Sequence, residues 1–259
     1  MAYEFITVDR EGPVTIFTLN RPEVMNALHS PMHFELDEAF NAFAADPEQW
    51  VGIITGAGER AFSAGNDLKH QATGGGMGTP PSGFAGLTSR FDLDKPLIAA
   101  VNGVAMGGGF EIALACDIVI ASETAVFALP EPKVGLAALA GGLHRLPRQI
   151  GLKRAMGMIL TARRVPAAEG QALGFVNAVV PAADLMAEAR KWAAMICDCS
   201  PMSIRASKQA VMQGLEMPLP DAIGGQFKFP AVGALFQSED FREGPMAFAQ
   251  KRPPVWKGK

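Results

Sequence analysis

Four short stretches carry residue types that could do chemistry. Glu111 stands two residues after Gly107-Gly108-Gly109, in an otherwise apolar run of Phe110, Ile112, Ala113, Leu114 and Ala115. A carboxylate buried among such neighbours is costly without a partner or a task. An acidic residue in a first helical turn can also be purely structural, since the helix dipole favours it there. Three glycines ahead of a helix leave amides with no side chain in the way, the geometry needed to hold a developing oxyanion. The same run could serve close packing. Glu131 lies in Phe127-Ala128-Leu129-Pro130-Glu131-Pro132, a rigid turn after a strand, and by itself reads as an exposed turn glutamate. In Ala61-Phe62-Ser63-Ala64-Gly65-Asn66-Asp67-Leu68, small residues let a ligand approach the backbone. Asn66-Asp67 can open a helix whose first amides are free. The composition also fits a plain strand-to-helix loop.

Other chemistries find little footing. The glycine run lacks the Gly-x-Gly-x-x-Gly spacing with a following acidic residue, and no Gly-Lys-Ser/Thr follows it, so neither a dinucleotide nor a Walker loop is expected. No Gly-x-Ser-x-Gly elbow is present. His29 and His33 are four apart, but Pro31 intervenes and His29 precedes the expected helix, which spoils a metal pair. Cys116, Cys197 and Cys199 have no zinc spacing, and their small odd number fits a reducing compartment. A net charge of −3 without a basic run argues against nucleic acid. Met1-Ala2-Tyr3-Glu4-Phe5 does not resemble a signal peptide. No apolar run reaches the roughly 18–20 residues that cross a bilayer. A cytoplasmic protein without membrane or nucleic-acid partners is expected.

The elements that must position these residues can be read from patterning. Residues 3–8 and 14–19 flank Glu11-Gly12-Pro13 as a hairpin. Ser30-Pro31 reads as an N-cap with proline at the first helical position, and Met32, Leu36, Ala39, Phe40 and Phe43 have helical spacing. Strands are expected at 50–55, 97–101, 118–121, 125–128 and 176–180. Helices are expected from the glycine run to Cys116 and at about 143–149, 152–161, 167–173 and 184–197. Residues 70–90, with Gly74-Gly75-Gly76 and Pro80-Pro81, read as a mobile loop. Ser200-Pro201 opens a helical tail to about residue 249. Recurring strand-strand-helix units predict a coiled α/β core over residues 1–197, followed by a helical region over 198–259. A tail so rich in phenylalanine needs something to pack on, its own core or a second subunit.

In order and spacing, Ala64-Gly65-Asn66-Asp67-Leu68, Asn102-Gly103 with Gly107-Gly108-Gly109-Phe110-Glu111, and Leu129-Pro130-Glu131 resemble the enoyl-CoA hydratase/isomerase (crotonase) family. Asn20-Arg21-Pro22 with Asn26-Ala27-Leu28, Gly141-Gly142 with Arg145-Leu146-Pro147-Arg148, and Ser238-Glu239-Asp240 with Lys251-Arg252 extend the resemblance over essentially the whole chain. It implies a spiral of ββα turns, a C-terminal helical region used for trimers or dimers of trimers, and a CoA thioester substrate. It implies no metal and no redox cofactor, coenzyme A being part of the substrate. It places the two oxyanion-hole amides at Asn66 and Gly108, and the two catalytic glutamates at Glu111 and Glu131. Val24, Met25, Ala64, Gly65, Asp67 and Leu68 would hold CoA, and Phe248 and Lys251 would approach it from the tail or a neighbouring subunit.

The implied reaction is reversible addition of water to a 2-enoyl-CoA through an enolate. A Δ3–Δ2 isomerase is the alternative, as are an RNA-associated homologue and a purely structural subunit from other classes. Two glutamates favour hydration or dehydration, because an isomerase can manage with one. Departures concern the acyl end. Asn66 replaces a common alanine, Ala128 a frequent glycine, and Ala138-Leu139-Ala140-Gly141-Gly142 a Pro-Gly-Ala-Gly-Gly run. The last is similar to the carnitinyl-CoA dehydratase branch. Met77, Phe84, Leu87 and Phe91 in the 70–90 loop are expected to cap an apolar acyl group.

Overall fold

The computed structural model describes residues 3–76 and 78–259. Strands β1 (Ile6–Glu11) and β2 (Val14–Leu19) form the expected antiparallel hairpin, with Ile6 opposite Leu19 and Glu11 opposite Val14, so the first strand runs three residues later than expected and takes in Glu11. Helix α1 (Ser30–Ala45) buries Met32, His33, Leu36, Ala39, Phe40 and Phe43 along one stripe. Its cap position falls on His29 and no side chain caps it. Ser30 is thus the first helical residue and not the cap, a shift of one residue that keeps Pro31 in the turn where a missing N–H costs nothing.

The chain then winds through repeated pairs of strands. These are β3 (Val51–Gly56) with β4 (Ala61–Ser63), β5 (Leu97–Val101) with β6 (Val104–Met106), and β7 (Ile118–Ser122) with β8 (Val126–Ala128). Helix α2 (Leu68–Ala72) follows the first pair and α3 (Gly108–Ala115) the second. The first strand of each pair joins a six-stranded sheet and the second joins a four-stranded one. In the larger sheet β2, β3, β5 and β7 are parallel neighbours, and β3 and β5 are buried at every residue. Strands buried on both faces read as continuous apolar runs. Ile54, Ala99 and Val119 point into the main core with Phe17 and Phe40, whereas Ile53, Ile98 and Ile120 face the opposite side.

After β8 the chain is mainly helical: α4 (Gly142–Ile150), α5 (Leu152–Thr161), α6 (Ala167–Leu173) and α7 (Leu185–Cys197). Strand β9 (Val165–Pro166) pairs antiparallel with β8, and β10 (Ala178–Val180) runs parallel beside β7. Leu185, Ala189 and Ala193 of α7 cover the Ile53 face of the large sheet. The tail folds as α8 (Pro201–Gly214), α9 (Leu219–Gly225), α10 (Pro230–Gln237) and α11 (Glu239–Ala249). Ser200 caps α8 as expected, its hydroxyl accepting from the Ser203 N–H at 3.2 Å. Ala206, Ala231 and Val232 form a small core apart from the main one. Leu215, Phe227 and Phe248 remain exposed.

Two expectations need correction. The three-residue strands β4 and β6 were not expected, because elements so short carry no periodic signal, whereas α2 opens at Asp67, where Asn66-Asp67 could open a helix. The stretch 70–90 is not uniformly mobile. Residues 84–88 lie against α1, with Ala85 fully buried and Leu87 nearly so. Arg90 pairs with Asp37 at 2.6 Å, and the Ser82 hydroxyl bonds the same carboxylate. Low apolar content suggested looseness, yet small residues and one partly buried ion pair fix the segment. Met77 lies outside the described residues. Among the described residues, no helix is long and apolar enough to cross a membrane.

Candidate active site

Strands β4, β6 and β8 run parallel, with Ala61 beside Val104, Val104 beside Val126 and Met106 beside Ala128. Parallel neighbours lie about 4.8 Å apart, so their C-terminal exits emerge side by side. β4 exits into Ala64-Gly65-Asn66, β6 into Gly107-Gly108, and β8 into Leu129-Pro130-Glu131. Ligands in α/β sheets gather at this end of the strands. A methyl group on Gly65 would stand 2.6 Å from the Met106 carbonyl oxygen and 2.9 Å from the Gly108 nitrogen. Gly65 also has φ +89°, which side-chain-bearing residues avoid. Glycine at 65 thus brings the Asn66 turn against Gly108.

The two amides are free. The Leu28 N–H donates to the Gly65 carbonyl and the Asp67 N–H to the Leu28 carbonyl, each at 2.8 Å. These bonds flank Asn66 and leave its own N–H on the opposite side of the strand. Gly108 is the first residue of α3, where an N–H has no partner within the helix. Among the described residues neither amide has a protein acceptor. The Asn66 side chain is engaged elsewhere, donating to Gln71 Oε1 at 2.9 Å.

Glu111 lies one turn along α3 and is 3% exposed. Its Oε1 accepts from the Gly142 N–H, at the start of α4, at 2.8 Å. Burial pushes its carboxyl up to about 7, and the Glu131 charge adds to the rise. The Gly142 and Ala140 amides and the Arg145 guanidinium pull the other way. Arg145 is held across the site by donating to the Thr88 carbonyl at 2.9 Å.

Glu131 opens a short 3-10 turn (Glu131–Val134) and is only partly buried, yet burial raises its pKa too. A methyl group on Gly107, where φ is +53°, would lie 2.7 Å from Glu131 Oε1. Among the described residues the buried Oε2 has no hydrogen-bond partner. A buried acceptor left unpaired is costly, so this oxygen is primed to take a proton or a hydrogen bond.

The structure brings most of the remaining candidates together. The Ala64 N–H donates to the Met25 carbonyl at 2.9 Å, which aligns Val24 and Met25 with Ala64, Gly65 and Asp67. The fully buried Asn26 side chain holds this turn by bonding the Ala57 and Ala61 carbonyls and the Arg21 N–H. Asp67 has structural work: it caps α2 through the His70 N–H at 3.0 Å and pairs with Arg21 at 3.0 Å. Leu68 is exposed beside it. Phe248 and Lys251 are not part of this cluster within one chain. Helix α11 packs chiefly on α8 and α10, and Phe248 is 88% exposed. Gly107 and Gly142, which seat the two carboxylates, stood in quoted motifs without an assigned role. Of the expected acyl cap, Phe84 reaches Gly108, Leu87 is core, and Phe91 is exposed beneath Arg145. His29 packs edge-on to Phe5 and His70. Among the described residues no three His, Cys, Asp or Glu side chains gather to hold a metal.

Comparison with known proteins identifies the family. The family model described as enoyl-CoA hydratase/isomerase matches residues 9–259. A carnitinyl-CoA dehydratase of Salmonella typhi is 46% identical, with 99% of each chain covered, and so is one of Salmonella typhimurium. The crystal structure of an enoyl-CoA hydratase from Mycobacterium tuberculosis H37Rv matches with a TM-score of 0.92 at 34% identity, over 98% of this chain and 99% of that one. One from Bacillus anthracis matches with a TM-score of 0.90 at 36% identity, over 99% and 100%. The chain therefore has the crotonase fold and belongs to the enoyl-CoA hydratase/isomerase family.

Proposed function

We propose that this protein adds water to a 2-enoyl-CoA, or removes it from the 3-hydroxyacyl-CoA, with Glu111 and Glu131 as the acid–base pair. The observation that carries the reading is the juxtaposition of two carboxyls raised by burial with two unpartnered amides, at Asn66 and Gly108. In hydration, one glutamate takes a proton from water as the water oxygen bonds to C3. The C2=C3 electrons move toward the thioester, and the two amides hold the resulting enolate oxygen. The other glutamate then gives a proton to C2. Each such amide is worth about 10²–10³ in rate, and acid–base help about 10²–10⁴. Polarisation by amides needs no metal or redox group. Val24, Met25, Ala64, Gly65 and Leu68 serve the CoA portion in this reading.

A second reading narrows the acyl group. The Salmonella relatives are named for a carnitinyl substrate, and the Ala138–Gly142 stretch and Asn66 depart from the common family pattern at the acyl end. A betaine-like acyl group therefore belongs in any substrate panel beside straight, branched and aromatic ones. The test is loss of conjugated-thioester absorbance across 2-enoyl-CoAs, for wild type and Glu131→Gln. Turnover lost in the variant is expected. No turnover of any member would sink hydration and favour isomerisation or a non-catalytic role.

We also propose that residues 198–259 form an oligomerisation region, closing a homotrimer or a dimer of trimers. Exposed Leu215, Phe227 and Phe248 support it, and a neighbour's tail would then carry Phe248 and Lys251 toward CoA. Light scattering at a monomer mass would overturn this.

A further inference from the structure

Phe84 is the residue of the 79–90 segment that reaches the candidate active site. Its ring lies so close to the Gly108 α-carbon that a methyl group there would collide with three ring carbons. The amide of Gly108 is one of the two free donors, so the Phe84 ring packs on the residue that offers it.

The ring packs against the main core and is held there by several specific contacts. Ala85, the next residue, is fully buried and left-handed, at φ 57° and ψ 22°. An alanine adopts this conformation only at a cost of order 1 kcal/mol or more. Its N–H donates to His33 Nδ1 at 3.0 Å. Because Nδ1 accepts, the neutral imidazole carries its proton on Nε2. Burial and the neighbouring His29 push the His33 pKa down to about 4, so the ring stays an acceptor at neutral pH. The same imidazole packs on Phe84, with ring centroids 4.4 Å apart at 60°. Gly86 is pressed against the Asp37 backbone, Arg90 is paired with Asp37, and Arg145 holds the Thr88 carbonyl. Strain tolerated beside a free oxyanion donor, and fixed from three sides, marks a position where placement matters.

We propose that Phe84 is the specificity-determining wall of the acyl pocket, that it restricts the pocket to compact acyl groups, and that His33 is the positioning residue that sets it against Gly108. The inference rests on the CoA-thioester reading of the same site but not on turnover. A fixed aromatic wall excludes extra chain length by overlap, and one methylene in such a pocket discriminates by about 10–200-fold.

Binding of saturated acyl-CoAs tests it separately from hydration. Isothermal calorimetry on the full chain gives Kd for butyryl-CoA and octanoyl-CoA. Wild type is expected to bind butyryl-CoA more tightly. Phe84→Ala and the milder Phe84→Leu are expected to lower the octanoyl/butyryl Kd ratio, by about tenfold or more for alanine. His33→Leu should shift the ratio the same way. His33→Asn, which keeps an acceptor near the Nδ1 position, should restore it toward wild type, which a general loss of stability would not do. A ratio within twofold of wild type in folded Phe84→Leu and Phe84→Ala would overturn the role of Phe84. An unchanged ratio in His33→Leu would overturn that of His33. Lack of binding by both acyl-CoAs would remove the CoA reading and this inference with it, whereas binding without turnover in the enoyl panel would overturn hydration alone.

Discussion

The two glutamates reach the same site from dissimilar surroundings. Glu111 belongs to α3, whose first seven residues are all buried, and a backbone N–H from a separate helix grips its carboxylate. Glu131 starts a turn that is exposed from Pro132 through Ala137, and what orients it is the missing side chain at Gly107. One carboxylate is held by a donor and the other by steric allowance. The difference assigns their natures. Glu111 is a fixed group poised near neutrality. Glu131 has one oxygen against the glycine and the other, among the described residues, without a hydrogen-bond partner.

The strongest way to break this comparison is to neutralise each carboxylate in turn. Glu131→Gln and Glu111→Gln should each lower kcat by about 10²–10⁴. The double variant should fall much less than the product of the two, because groups acting on one water are non-additive. A single variant with substantial hydration activity would show that the pair does not act together.

Glycine substitutions come next in size and separate the two anchoring modes. Gly107→Ala strikes Glu131 directly and also places alanine at φ +53°. A loss of about 10² in kcat/KM is expected, as for an approximately 1 Å misplacement. Gly142→Ala crowds Glu111 less, its methyl lying 3.0 Å from Cγ and Oε1, and should cost nearer tenfold. Steady-state kinetics on both variants would contradict the comparison if Gly142→Ala were the worse.

How much of this was legible in the sequence follows from the range of each interaction. The hairpin, α1, β3, β5 and the later helices declare themselves by local periodicity and capping residues, and the structure moves their ends by a residue or two, save the first strand, which lies three residues later than expected. The amides and carboxylates were legible as motifs because each lies within a few residues of a glycine run or a proline turn. Their assembly was not, since it depends on three strand ends stacking across intervals of more than twenty residues. The 31-residue reach from Gly142 to Glu111 is invisible locally, as is the 52-residue reach from Ala85 to His33. Segment 79–90 misled for a related reason. Its order comes from Asp37 and His33 on α1, and nothing within the segment announces them.

The smallest expected effect is on stability, and it too divides the two glutamates. The folded protein holds the Glu111 proton up to about pH 7, well above the ordinary carboxyl value of 4.5. The stability linked to that proton is fully present below about pH 4.5 and is lost as pH rises through 7. Above neutrality the buried anion costs the fold about 3 kcal/mol. Glu111→Gln removes the charge and keeps an acceptor for the Gly142 N–H. Its melting temperature should therefore nearly match wild type at pH 4.5 and exceed it by several degrees at pH 8. Glu131, more open to water, should give a smaller gain of the same sign on conversion to glutamine. Thermal melts of the three proteins from pH 4.5 to 8 decide the matter. A Glu111→Gln advantage that does not grow with pH would mean that the Gly142 and Ala140 amides and Arg145 outweigh burial, and that Glu111 is an ordinary anion in the folded protein.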